Sequence, residues 1–302
     1  MVKLKIINVD KPYAEIIFDH IKNGYQRESE YKRKLENNYQ ERIEKALEYE
    51  ELYLEVAKSG ELHTLKPIND FFGLTKTEMS LYFDSRFESK EKLLEEGHIC
   101  PICDGPISDT LDHVLPKNSY IQYTLIPINL VPMCGSCNRK KGTYIGEKYE
   151  ESPFHPYFED IDFKDYAVGK LTNNPSDFAP VEIIINQDLP SSHSAPLLKK
   201  YTFNYYKIFE LYEIYNSYAK ITFNNLIETL KKYQPVSKLT FVKIQVILEK
   251  EVEKYKGREF EKFNQEYIRY LVYKTLHEEF DEEVYNVIKN KLLNYEEELV
   301  EF

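Results

Sequence analysis

The stretch Cys134-Gly-Ser-Cys137-Asn138-Arg139-Lys140-Lys141-Gly142 decides the fold of the middle of this chain, together with Cys100-Pro-Ile-Cys103 upstream. All 4 cysteines of the 302-residue sequence fall in these two Cys-x-x-Cys pairs. Each pair forms a knuckle that presents two thiolates, and two knuckles complete a tetrahedral site for one zinc ion. Four sulfur ligands close the coordination sphere of zinc, so we expect a structural ion that stabilises a small module, held by Cys100, Cys103, Cys134 and Cys137.

Two alternatives to zinc stay open at this point. The cysteines could be unligated or disulfide-bonded, or they could hold an iron–sulfur cluster. The N-terminal residues lack the apolar core of a signal peptide, which predicts a cytoplasmic location where thiols stay reduced. No apolar run reaches the roughly 20 residues that a membrane-spanning helix needs, so we expect no membrane association.

Between and beside the two cysteine pairs lie residues of a second kind: Asp112-His113, then Asn129, then Asn138. This segment resembles the HNH, or ββα-metal, endonuclease family over about residues 98–149. In that family a strand ends in Asp-His, a middle Asn follows a loop, and a helix opens with a final His or Asn. The Asn at position 138 is the variant that the HNH domain of CRISPR effector nucleases also carries.

The resemblance implies a role for each of these residues. His113 would be the general base that takes a proton from the attacking water. Asp112 and Asn138 would hold one catalytic Mg²⁺ or Mn²⁺ ion through oxygen atoms. Asn129 would be structural and would brace the loop so that His113 faces the scissile phosphate. Neighbouring residues on a strand point to opposite faces, so this strand must end at the Asp-His pair for both to be used.

Basic residues near the motif give a candidate nucleic-acid surface. We expect phosphate contacts from four of them, Lys117, Arg139, Lys140 and Lys141. The alternative is that they are exposed basic residues with no ligand. The resemblance implies a DNA substrate and products with 5′-phosphate and 3′-hydroxyl ends.

The charge of the chain is unusual for a protein that binds nucleic acid. The net charge is -11, divided as -4 over residues 1–97, +1 over residues 98–149 and -8 over residues 150–302. The acidic flanks have two interpretations. One is that they keep the protein soluble, and the other is that a partner protein supplies or controls tight DNA binding. Phe154-His-Pro-Tyr157 is similar to segments that follow the HNH motif in bacterial anti-phage defence proteins, as in Septu-like systems. That similarity implies an ATPase partner, which must be another chain because this sequence has no P-loop; a homo-oligomer is a further expectation.

The rest of the sequence predicts an α+β fold that is mostly α-helical, with the HNH module between helical regions. We expect a helical N-terminal region at 1–97, the module at 98–149, a mixed connecting region at 150–200 and a helical C-terminal domain at 201–302. Strands are predicted at 1–9 and Val181–Asn186. Helices are predicted at Ser29–Lys58, 76–96, from Tyr201 to the break at Pro235, 237–256, 259–279 and 282–300.

Two functions from different classes follow. The first is a metal-dependent endonuclease that hydrolyses DNA, as the nuclease subunit of a bacterial defence or restriction system. The second is a non-catalytic zinc module that acts as a nucleic-acid or protein adaptor. Both predict about one zinc ion per chain, so substitution of His113, and not zinc content, distinguishes them.

Overall fold

The structure is a computed structural model, and it describes residues 39–71, 74–75, 99–124, 126–159, 163–172, 180–188, 195–233, 236–256, 258, 260 and 265–300. Within these residues it has seven α-helices and three two-stranded antiparallel sheets. The predicted α+β, mostly helical class is therefore confirmed. The strand expected at 1–9, the helix at 76–96 and the first part of the helix from Ser29 lie outside the described residues.

The elements are numbered here in chain order. The helices are α1 Tyr39–Ser59, α2 Gly135–Lys141, α3 Ala195–Phe203, α4 Leu211–Lys231, α5 Phe241–Glu253, α6 Gln265–Glu278 and α7 Glu282–Val300. The strands are β1 Asp70–Phe71, β2 Leu74–Thr75, β3 Thr110–His113, β4 Leu130–Met133, β5 Ala167–Leu171 and β6 Val181–Ile185. No helix of the described part is long and apolar enough to cross a membrane.

The chain forms two compact units, and each is built from two stretches of sequence. Unit 1 contains Met1–Ile161 and Ser194–Phe209, whereas unit 2 contains Asp162–His193 and Glu210–Phe302. The four consecutive regions expected from the sequence describe the linear order of the chain and stay a prediction.

In unit 1, helix α1 packs through a short apolar and aromatic face. Ile43 is buried and Tyr53 and Ala57 are completely buried, whereas Leu54 is only half-buried. The helix ends at Ser59, and at Gly60 the backbone turns to φ +76°. Glycine adopts this conformation without strain, and a β-carbon there would also lie 2.9 Å from the Tyr149 ring.

The predicted module of unit 1 consists of a hairpin followed by a short helix. Strand β3 pairs with β4 so that Asp112 lies opposite Val131 and His113 opposite Leu130. All of β4 is buried, and Cys134 and helix α2 follow it directly. Strand β3 ends at His113, as the use of both Asp112 and His113 requires.

Unit 2 contains the predicted strand at Val181, which is confirmed as β6. Its residues alternate between buried and half-buried, and it pairs with β5 beside helices α4 and α6. Gly169 of β5 lies so close to α6 that a β-carbon would come within 2.2 Å of Thr275 Oγ1. The predicted helices at 237–256, 259–279 and 282–300 correspond to α5, α6 and α7.

The helix expected from Tyr201 to the break at Pro235 is interrupted, so the prediction of one continuous helix is wrong. A π-helical turn runs over Asn204–Ile208, and Glu210 then adopts a left-handed backbone with φ +47°. The buried Asn204 amide donates to the carbonyls of Lys200 and Ser152 and accepts from Phe154 N. This side chain competes for backbone groups, which explains why the helix does not continue regularly.

Candidate functional site

The predicted catalytic residues line one cleft in unit 1. The cleft has a volume of about 500 Å³, and its wall is formed by β3, the loop that follows, the middle of α2 and the residues directly after α2. It includes Asp112, His113, Lys117 and Asn138. The structure therefore brings together three residue types that hydrolysis of a phosphodiester needs: a carboxylate, an imidazole and an amide.

The four cysteines lie beside this cleft with the geometry of a metal site. Their sulfur atoms are all within 4.8 Å of one another, and Cys103 Sγ lies 3.8 Å from Cys134 Sγ. A tetrahedral zinc site with Zn–S bonds of about 2.3 Å has edges of about 3.8 Å between sulfur atoms. All four cysteines are buried and none forms a disulfide, so the disulfide alternative is not what the structure contains.

The electrostatics of the cluster also favour a bound cation. Hydrogen bonding with Cys100 lowers the pKa of the Cys134 thiol, whereas hydrogen bonding with the same residue raises the pKa of Cys137. Four thiolates this close together would repel one another. A zinc ion removes that conflict by neutralising the sulfurs, and the donor set therefore fits zinc.

Asp112 does not stand by itself in the cleft wall. The ammonium of Lys141, the last residue of α2, lies 2.7 Å from Asp112 Oδ2 and donates to His113 O at 2.9 Å. Burial raises the pKa of the Asp112 carboxyl, and the positive charge of Lys141 opposes that shift. Lys141 was expected to contact phosphate; its side chain is 2% exposed and its ammonium is paired with Asp112, and phosphate contact by Lys141 stays a prediction.

His113 is held in one tautomer by the backbone. Its Nε2 lies 3.0 Å from the carbonyl oxygen of Thr124. Because a carbonyl only accepts hydrogen bonds, Nε2 carries the proton and the lone pair lies on Nδ1. Burial lowers the pKa of His113 to about 3, so the ring is neutral at neutral pH.

Asn129 is completely buried, and its side chain makes four hydrogen bonds. Its Oδ1 accepts from Leu115 N at 2.7 Å and from the Tyr53 hydroxyl at 3.0 Å. Its Nδ2 donates to Leu115 O at 3.1 Å and to Tyr123 O at 3.0 Å. These bonds use the full capacity of the amide, and they fix its orientation because Leu115 N requires an acceptor.

Asn138 has a different geometry that suits a ligand. Its Nδ2 donates to Thr110 Oγ1 at 3.1 Å, and Thr110 in turn donates to Met133 O at 2.7 Å. Since the amide nitrogen is used in this way, the carbonyl oxygen is the atom that a cation in the cleft would meet. A carboxylate and an amide oxygen are hard donors, so Asp112 and Asn138 fit Mg²⁺ or Mn²⁺.

The other predicted nucleic-acid residues lie in different environments. Lys117 is half-buried and lines the cleft, whereas Arg139 and Lys140 lie on α2 with exposed and half-exposed side chains. Neither of these two is part of the cleft wall. Phosphate contact by Lys117, Arg139 and Lys140 stays a prediction.

Sequence reasoning missed two features of this site. Tyr53 of α1 bonds to Asn129 across 76 residues of sequence, and no local pattern indicates that contact. The pairing of Lys141 with Asp112 did have a signal, because Lys141 follows Asn138 by three residues and therefore lies on the same face of α2.

Comparison with known proteins agrees with this geometry. The model of the family described as HNH endonuclease matches residues 100–143, which include both cysteine pairs and the catalytic candidates. Protein ea31 of Escherichia phage lambda is 31% identical over 152 residues, which cover 44% of this chain and 51% of that protein. The chain thus spans about half the length of this relative. No solved structure matches this chain. Residues 100–143 are an HNH endonuclease domain whose four cysteines are arranged as a zinc site.

Proposed function

We propose that this protein is a metal-dependent endonuclease that hydrolyses DNA phosphodiester bonds. The observation that carries the proposal is that Asp112, His113 and Asn138 line the same cleft, and that His113 is neutral and held in one tautomer. A nuclease of this type needs a base and a pair of oxygen ligands at one phosphate. The match to the HNH endonuclease family supports the same conclusion.

Each residue of the cleft has its own role in the proposed reaction. His113 takes the proton of the attacking water on Nδ1, because Nε2 is bonded to Thr124 O. Asp112 and Asn138 would hold Mg²⁺ or Mn²⁺, which when bound stabilises the charge that develops on the phosphate and the leaving oxygen. Lys117, at the same cleft, would contact a phosphate oxygen of the substrate.

Cleavage of supercoiled plasmid by the purified full chain tests the proposal. We expect wild-type protein to nick or linearise the plasmid with Mg²⁺ or Mn²⁺, and we expect His113→Ala to lower the rate by about 100-fold or more. The matched control is His277→Ala in α6, which removes a half-exposed histidine of unit 2. Cleavage that persists in His113→Ala at the wild-type rate would contradict the assignment of the base.

The metal requirement needs a separate control because the chain has two kinds of metal site. EDTA should stop cleavage while about one zinc ion per chain stays bound, and added Mg²⁺ should restore it. Zinc content is therefore measured after the EDTA step. Wild-type protein that binds DNA but never cleaves it, with any divalent metal, favours the adaptor function.

The wider role belongs to the same proposal. We infer that the protein is the nuclease subunit of a defence or restriction system with an ATPase partner; the net charge of -8 in residues 150–302 disfavours DNA binding by that part, which supports a partner that supplies or controls DNA binding. Two-strand cutting would also require a homo-oligomer or two successive nicks. Adding the neighbouring gene products and ATP to the plasmid assay tests the partner, and light scattering of the purified chain tests the oligomer.

A further inference from the structure

The hydroxyl of Tyr53 lies between two buried polar side chains of unit 1. It donates to Asn129 Oδ1 at 3.0 Å, and its oxygen lies 3.1 Å from His155 Nε2. Tyr53 and Asn129 have no exposed surface, and His155 is 1% exposed. Tyr53 and His155 both lie outside the residues that match the HNH family.

The protons in this group have one consistent arrangement. Burial holds the pKa of Tyr53 well above its ordinary value, so the hydroxyl keeps its single proton. That proton is donated to Asn129, whose Oδ1 is fixed as an acceptor by Leu115 N. His155 Nε2 must then carry a proton and donate to the Tyr53 oxygen. Burial lowers the pKa of His155 to about 3, so its ring is neutral.

The hydrogen bonds continue from Asn129 to the catalytic base. Asn129 binds both backbone groups of Leu115, two residues after His113. It also donates to Tyr123 O, and the next carbonyl along the chain, that of Thr124, holds His113 Nε2. Asn129 therefore fixes the backbone on both sides of the imidazole.

We propose that Tyr53 and His155 are positioning residues for His113, acting through Asn129 and the backbone of Leu115 and Tyr123. Helix α1 and the segment at His155 are then parts of the active site, although they lie outside the HNH segment. This inference rests on the proposed nuclease function for its kinetic consequence. Its structural consequence, the state of the His113 ring, does not depend on cleavage.

The contacts of the Tyr53 ring separate this role from simple packing. Its ring centroid lies 5.3 Å from that of Tyr123, and phenylalanine would retain this contact. A packing role therefore predicts that Tyr53→Phe cleaves like wild type. A positioning role predicts that loss of the one hydroxyl lowers the cleavage rate.

The kinetic experiment compares Tyr53→Phe with Tyr157→Phe. Tyr157 is also buried, and its hydroxyl donates to a backbone carbonyl, that of Leu130, at 2.9 Å without binding Asn129. We expect kcat of Tyr53→Phe to fall by about tenfold with KM nearly unchanged, because small displacements of a catalytic group are costly. We expect Tyr157→Phe to lose similar thermal stability and to keep most of its kcat.

A second pair of variants tests the donor on His155. His155→Gln retains an N–H that can donate to the Tyr53 oxygen, whereas His155→Met fills similar space without a donor. The proposal expects His155→Gln to keep a higher kcat than His155→Met, although both lose the ring. Equal rates for the two variants, or an equal loss of kcat in Tyr53→Phe and Tyr157→Phe, would overturn it.

A measurement without substrate keeps the inference separate from the nuclease proposal. Long-range ¹⁵N–¹H NMR spectra of the histidine rings report the tautomer, and the His113 signals are those missing in His113→Gln. We expect a single Nε2–H tautomer in wild type and in Tyr157→Phe, and a mixture or broadened signals in Tyr53→Phe. If wild type does not cleave DNA but these spectra change as expected, the nuclease proposal fails and the positioning of His113 stands; an unchanged ring in Tyr53→Phe overturns the positioning.

Discussion

The ammonium of Lys141 lies 2.7 Å from Oδ2 of Asp112, and the two side chains are 2% and 8% exposed. A buried ion pair of this kind stabilises the fold only while both charged side chains are present. The hydrogen bond from Lys141 to His113 O extends the pair to the end of β3. The charge on the carboxylate that is proposed to hold the catalytic metal is therefore balanced within the protein itself.

Lys141→Met is expected to lower the free energy of unfolding by about 3–5 kcal/mol, because Asp112 would be left as an uncompensated buried charge. Asp112→Asn in the same chain should recover part of this loss. Urea denaturation followed by circular dichroism measures both effects. Lys148→Met is the control, since Lys148 pairs with Glu151 at the surface and should change stability little. A similar small change in Lys141→Met would contradict the ion pair.

Loss of one zinc ligand should unfold the module more than it affects unit 2. Cys137→Ser removes a completely buried ligand, and zinc measured per chain should fall from about one to well below one. Limited proteolysis should then cut within 100–143, while the hairpin of β5 and β6 stays protected. Re-addition of zinc to wild-type protein that was unfolded and freed of zinc should restore resistance, and full protection of Cys137→Ser would contradict a structural zinc site.

Asn129→Ala should be far more destabilising than Asn138→Ala. The first variant leaves three buried backbone groups of Leu115 and Tyr123 without their partner, at about 1–3 kcal/mol each. The second loses one hydrogen bond to Thr110, worth about 1 kcal/mol. Thermal unfolding of the two variants provides the comparison. Equal stability would mean that Asn129 does not brace the loop.

Lowering the pH should reduce the free energy of unfolding, in part because the fold keeps the buried His155 ring neutral. Its pKa is about 3 in the folded chain, lowered by burial and by Lys200 and Lys141, against about 6.5 when unfolded. The unfolded chain therefore binds more protons between these values, and stability falls as pH decreases from about 6.5 towards 3. The carboxylate of Glu159 accepts a hydrogen bond from His155 N, and Glu159 is present both in wild type and in the His155→Gln variant with which wild type is compared.

The contribution of His155 can be isolated by subtraction. Urea unfolding of wild type and His155→Gln over this pH range should give curves whose difference shrinks by up to about 1.4 kcal/mol per pH unit as the solution is acidified. The substitution removes one titrating ring and leaves His113 in place. Parallel curves would show that His155 is not held neutral by the fold.

The parts that the sequence predicted are those whose chemistry is local. Two cysteines separated by two residues can be recognised as a knuckle, and Asp112-His113 at the end of a strand predicts the cleft residues by position. Strand β6 was predictable because its apolar residues form one short run. In these cases, a few neighbouring residues determine the structure.

The parts that the sequence did not predict depend on contacts between distant residues. Tyr53 on α1 looks like any other aromatic residue of a helix until Asn129 is placed beside its hydroxyl. The interruption of the helix after Phe203 results from Asn204 binding the backbone of Ser152 and Phe154. Helical periodicity contains no information on either contact, because both partners come from elsewhere in the chain.

The construction of unit 1 from two stretches limits how its HNH domain can be transplanted. Lys200, from the second stretch, forms a buried ion pair with Glu159 and lies over the Tyr149 ring. A contiguous fragment ending at 161 would separate Glu159 from this lysine and Phe154 from Asn204, and a graft of 100–143 would lack both pairs altogether. A transplanted fragment that keeps all of unit 1 would have to join residue 161 directly to residue 194, because this unit is not one continuous stretch of sequence.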